Sequence, residues 1–171
     1  MLMYRQPEVP KADMLYLLAQ ALAVRTPGFF NIKGAGDGDR ATAVFISQLR
    51  KLAKGRFGAD HSEARACKTA GFAFDFYFRD DETVVEIALG LRNPNSEFER
   101  DILKCLLALD NGCGVKRLLF IAKPGALAQQ SSPGRKAIAD YARRRFGLEI
   151  EVLELEPAGV SCLADPAGRI E

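Results

Sequence analysis

The stretch Phe72-Ala73-Phe74-Asp75-Phe76-Tyr77-Phe78-Arg79 places a phenylalanine at every second position. A period of two belongs to a β-strand, where successive side chains leave opposite faces. The alternation predicts a strand over 71–79 with all four phenylalanines on one covered face. Asp80-Asp81 supplies a turn. Thr83–Leu89, with β-branched residues at its centre, supplies the returning strand. The register of this hairpin follows from its loop. With Asp80 and Asp81 in a two-residue loop, Arg79 faces Glu82, and paired positions sum to 161. A four-residue loop keeps that sum. Tyr77 then faces Val84, Asp75 faces Glu86 and Ala73 faces Ala88. Directly opposed residues share a face about 5 Å apart. Asp75 and Glu86 are therefore expected side by side, on the face opposite the phenylalanines. Two adjacent carboxylates repel each other. A divalent cation, a basic partner or a shared proton would compensate. A solvated edge, or an ion pair with Arg79 or Lys68, is the plain alternative.

The elements around the hairpin set the fold class. Leu15, Leu18 and Leu22 fall on one face of a helix over 11–24, with Pro10 before it. Residues 26–39 hold four glycines and a proline and read as a loop, with a short strand possible at 29–32. A second helix over 40–54, capped by Asp37 or Asp39, turns Ala41, Phe45, Leu49 and Leu52 inward. Residues 63–68 suggest a short strand. A helix over 95–109 has Ser96 and Glu99 in capping-box spacing and an apolar stripe of Phe98, Ile102, Leu106 and Leu109. It ends at Asn111-Gly112. Arg117–Ala122 is almost wholly apolar, the pattern of a strand at the centre of a sheet. Ser132-Pro133 opens a further helix, closed by Gly147, and 148–155 is a last strand with Glu149 and Glu151 outward. A helix between the hairpin and Arg117–Ala122 implies a right-handed crossover and parallel pairing. The expectation is an α/β domain: a mixed central sheet flanked by helices.

Length and composition close off other classes. The chain has 171 residues, 48 % hydrophobic and 27 % charged, which is ordinary globular composition and argues against disorder. One domain spanning 1–171 is expected, with N-terminal helices over 11–54, a core over about 60–155 and an irregular tail over 156–171. It would bury about 70 % of its unfolded surface and needs no metal or disulfide staple. No apolar run approaches the roughly 18–20 residues needed to span a bilayer, and the N-terminus shows no signal pattern. The expected location is the cytoplasm, away from membranes. The four cysteines form no C-x-x-C pair and His61 is the only histidine, which leaves no zinc site of the usual spacing. Four reduced thiols are expected. Residues 61–110 hold six basic and ten acidic side chains, between flanks with nine and five and with nine and seven. An acidic middle between basic flanks suits a carboxylate site with phosphate-contacting edges.

An aspartate on one strand, a hairpin, and an acid on the next strand resemble the PD-(D/E)xK nuclease superfamily. Within it, residues 70–125 resemble the BglII/BamHI-like restriction endonucleases. The pieces that carry the likeness are Asp75, Val84-Val85-Glu86-Ile87-Ala88-Leu89-Gly90, Arg100-Asp101-Ile102-Leu103-Lys104 and Leu118–Pro124. They cover under half the chain. The resemblance implies a restriction-endonuclease-like fold and a metal-dependent endonuclease that hydrolyses phosphodiester bonds in DNA. Asp75 and Glu86 would ligate Mg²⁺ or Mn²⁺, and the family's dimeric habit implies a homodimer. The departure is Ala88. It stands at the third position of the family's E-x-[EQK], where a side chain activates or orients the attacking water. Either cleavage is lost, leaving a module that binds nucleic acid or protein, or another residue substitutes. Lys104 on the next helix is the first candidate and Lys68 the second. Lys104 also fits a solvated helix face with Glu97 and Arg100.

Other signals are weaker. Glu63 would add a carboxylate from the preceding segment, and His61 beside it a general base, though each also reads as an exposed side chain. Gly34-Ala35-Gly36-Asp37-Gly38 is neither a dinucleotide fingerprint nor a P-loop. Arg143-Arg144-Arg145 suits the last turn of a helix, where cations favour the dipole. With Lys116, Arg117 and the basic residues of 50–56, it would also suit DNA phosphates.

Overall fold

A computed structural model describes residues 9–32, 37–65, 71–89 and 97–159. Among them, five strands form one mixed sheet in the order β1-β2-β3-β4-β5. β1 (Ser62–Ala64), β2 (Phe74–Phe78) and β3 (Thr83–Ala88) run antiparallel as a meander; β4 (Arg117–Ala122) and β5 (Glu149–Glu154) continue parallel to β3. α1 (Lys11–Arg25) and α2 (Asp37–Phe57) precede the sheet. α3 (Glu97–Asp110) crosses from β3 to β4, and α4 (Ala126–Gln130) and α5 (Pro133–Phe146) cross from β4 to β5.

The two faces of the sheet have separate cores, because side chains alternate along each strand. Phe76, Phe78, Val85, Ile87, Leu119 and Ile121 pack under α1 and α2, against Leu15, Phe45 and Leu49. Tyr77, Val84, Ala88, Leu118, Phe120 and Val152 pack under α3 and α5, against Phe98, Ile102 and Ala142. Both crossovers thus lay their helices on one face, as successive connections of one hand along one sheet must. β3 is buried throughout and β4 along all but its first residue. That explains why they read as near-continuous apolar runs, with Glu86 as the exception.

The hairpin pairs Phe76 with Val85, Tyr77 with Val84 and Phe78 with Thr83, so the positions sum to 161 as expected. The ladder stops there. At the next step Asp75 and Glu86 use their side chains on the opposite backbone, as described below. The phenylalanine alternation fails at the same point. Phe76 and Phe78 keep to the α1/α2 face, but Phe74 joins the α3 core and Phe72 is 45 % exposed. Four rings on one covered face was therefore too regular an expectation: Phe72 precedes β2, and the alternation breaks between Phe74 and Phe76, where the regular pairing with β3 stops.

Other details differ. Phe29–Asn31 form a 3-10 turn rather than a short strand, α2 already includes Asp37 and Asp39, and Leu52 is exposed rather than turned inward. α4 was not expected; its five residues carry no stripe long enough to read. Cys113 is disulfide-bonded, against the expectation of reduced thiols, while Cys105 is free and buried. The Gly34–Gly36 loop, Lys68, the Ser96 cap and the tail beyond 159 lie outside the described residues.

Candidate functional site

The antiparallel ladder of β2 and β3 opens at Asp75, and polar groups gather at the opening. Asp75 Oδ2 accepts a hydrogen bond from the Ile87 backbone N–H at 2.9 Å. Glu86 Oε2 accepts one from the Asp75 N–H at 3.4 Å. Each carboxylate thus satisfies a backbone donor of the opposing strand. Glu86 lies between Val84 and Ala88 on the face that α3 covers, because its neighbours Val85 and Ile87 point to the other core.

α3 supplies the answering charges. Lys104 Nζ lies 3.0 Å from Glu86 Oε1 and 2.7 Å from Asp101 Oδ1. The side chains are 14 % exposed for Lys104, 7 % for Glu86 and 6 % for Asp101. Lys104 also lies over the Phe74 ring and 3.4 Å from the Ala73 carbonyl. It does not sit on a solvated helix face. That place belongs to Arg100, four residues earlier, whose side chain is largely exposed. Lys104 has turned toward the sheet because α3 buries the stripe of Phe98, Asp101, Ile102, Cys105 and Ala108 against it.

From the other helical layer, Arg50 on α2 reaches the same opening. Its Nη2 is 3.6 Å from Asp75 Oδ1 and its Nη1 2.6 Å from Glu63 Oε1. The expected acids Asp75 and Glu86 and the expected base Lys104 are therefore brought together. Glu63 is tied to Arg50 and points largely to solvent. His61 packs on the rings of Phe57 and Phe78. Arg117 is held internally by Asp13 and Glu151, and Lys116 pairs with Glu82. Arg117 is thereby largely committed within the fold, whereas the Lys116 side chain stays exposed.

The site is short of positive charge. Burial, then the charges of Asp101 and Asp75, push the Glu86 carboxyl up to about 8, although Lys104 pulls it down. Burial also raises Asp101 against the pull of Lys104. Burial works to discharge Lys104, but Glu86 and Asp101 outweigh it and hold the ammonium above its usual range. Lys104 is thus a permanent cation shared by two buried acids. Asp101 is the member that sequence reasoning missed. It lies three residues after Phe98 and four before Cys105, within the buried stripe, and that spacing was the available signal.

Asp75 and Glu86 are the residues suited to hold a metal. Mg²⁺ takes one or two protein carboxylates and completes its shell with water and phosphate oxygens. A pair of carboxylates at the open end of the ladder, each with one cation beside it, could contribute to such a shell. It does not meet the demand of an ion ligated wholly by protein: among the described residues, no three Asp, Glu, His or Cys side chains gather as a metal-holding group. No family model, curated protein or solved structure matches this chain.

Proposed function

We propose that this chain is a metal-dependent nuclease of the restriction-endonuclease-like kind, acting on phosphodiester bonds in DNA. The observation that carries the reading is the convergence of Asp75, Glu86 and Lys104 at the open end of the β2–β3 ladder. The order helix, antiparallel meander, helix, parallel strand supports it as well.

In this reading Asp75 and Glu86 would hold Mg²⁺ or Mn²⁺. The bound ion would supply Lewis-acid polarisation of the phosphate and a more acidic water. The chain's own residues do the rest. The Ile87 N–H fixes the Asp75 carboxylate. Asp101 keeps the Lys104 ammonium beside Glu86. A fixed cation there offsets negative charge that develops on a phosphate oxygen, with little reorganisation. Lys104 would thereby serve in place of the side chain missing at Ala88.

One observation favours a second reading, a nuclease fold that binds nucleic acid without cutting it. Ala88 is packed in the core, and Lys104 is fully engaged by two acids. The test is incubation of supercoiled plasmid and single-stranded DNA with the protein and Mg²⁺ or Mn²⁺. The nuclease reading expects nicking that disappears with EDTA. Binding without nicking, in either metal, selects the second reading.

A further inference from the structure

Arg50 carries more than the pair with Asp75 requires. Its Nη1 is taken by Glu63 and its Nη2 stands 3.6 Å from Asp75, too far for a hydrogen bond. Its Nε is buried and has no partner. A guanidinium presents its donors as a fixed planar fork. Here one edge of that fork is poorly used, and it lies beside the carboxylate expected to hold the metal. The partner that does engage Arg50 is weakly anchored. Glu63 has a largely exposed side chain and a backbone φ of 47°, in the left-handed region that a glutamate seldom adopts. It belongs to the three-residue edge strand β1. Further along α2, Lys51, Lys54 and Arg56 are exposed and give the same helix a basic outer side.

The geometry points to Arg50 as a phosphate clamp: its guanidinium takes the non-bridging oxygens of a DNA phosphate beside Asp75, and Glu63 is the counter-ion it exchanges for that phosphate. Arginine suits the role because its paired N–H groups match two phosphate oxygens. The exchange replaces an exposed carboxylate with a phosphate at the two terminal nitrogens, of which the one near Asp75 has no close acceptor now. The inference rests on the nucleic-acid reading above and names the residue that would meet the substrate backbone.

The test is equilibrium binding of a short DNA duplex in EDTA across a salt series, so that cleavage plays no part. Arg50→Gln is expected to weaken binding. It should also reduce the slope of log K against log salt by about 0.9, the share of one phosphate contact. Glu63→Gln leaves Arg50 intact and removes only its counter-ion, so it should bind several-fold tighter than wild type. An Arg50→Gln slope equal to wild type overturns the clamp while leaving the nucleic-acid reading intact. So does a Glu63→Gln affinity no higher than wild type. Wild-type protein that fails to bind DNA at low salt overturns both.

Discussion

At Glu86, burial and two neighbouring acids act in one direction and Lys104 in the other. Burial, with the two acids adding to it, wins, so the carboxyl is raised to about 8 from an ordinary value near 4.5. The folded chain then holds a proton that the unfolded chain releases. The Glu86 contribution to stability is complete below about pH 4.5 and is lost as pH rises through about 8. Glu86→Gln removes that titration. Urea unfolding should show its stability advantage over wild type growing from pH 5 to pH 8. Lys104→Met is expected to do the reverse, because it leaves Asp101 and Glu86 buried without a cation. A loss of about 3–5 kcal/mol is expected at neutral pH. Asp75→Ala has a more local signature. It removes the acceptor of the Ile87 N–H, so that amide should exchange faster, while Asp75→Asn should preserve much of its protection. The register of the hairpin from Phe76 to Phe78 was legible in the sequence because strand register is arithmetic, but the expected Asp75–Glu86 pair is replaced by bonds from each carboxylate to the opposing backbone. The burial of Asp101 was harder to read. Arg100-Asp101 and Lys104 suggest a solvated face until the position of Asp101 within the Phe98–Cys105 stripe is weighed.

At the scale of elements, chain chemistry decides most boundaries. β4 falls on Arg117–Ala122 as its apolar run predicts, and α5 ends at Gly147 with φ 67°. That conformation costs an L-residue about 1–2 kcal/mol, so Gly147→Ala should lower stability by about that amount in thermal unfolding. The boundaries that were not legible depend on partners distant in sequence. β2 starts at Phe74 rather than Gly71, and Phe74 turns to the α3 core. The ladder beyond Phe76 is replaced by carboxylate-to-backbone bonds, which no alternation of side chains announces. α1 is likewise placed by remote groups. Its first N–H donates to Asp81 in the hairpin turn, and its Asp13 pairs with Arg117 of β4. The acidic turn that read only as a hairpin loop thus also caps a helix.

Across the whole molecule, a mixed sheet between two helical layers places the carboxylate pair where β2 and β3 diverge, within reach of α2 on one side and α3 on the other. Among the described residues, no helix is long and apolar enough to cross a membrane. The α/β class was legible because helical and strand periods alternate in order along the chain. The convergence of Arg50 was not, since its distance from Asp75 in sequence hides their meeting in space. In the proposed function Asp75, Glu86 and Lys104 act as one centre on DNA. Its most direct test is the rate of plasmid nicking in Mg²⁺ and in Mn²⁺ for wild type beside Asp75→Asn, Glu86→Gln and Lys104→Met, each confirmed folded by circular dichroism. Nicking by wild type is expected, with a loss of at least about a hundredfold in each variant, as removal of a group acting in the transition state produces. Nicking by wild type that survives in Asp75→Asn and Glu86→Gln would contradict it.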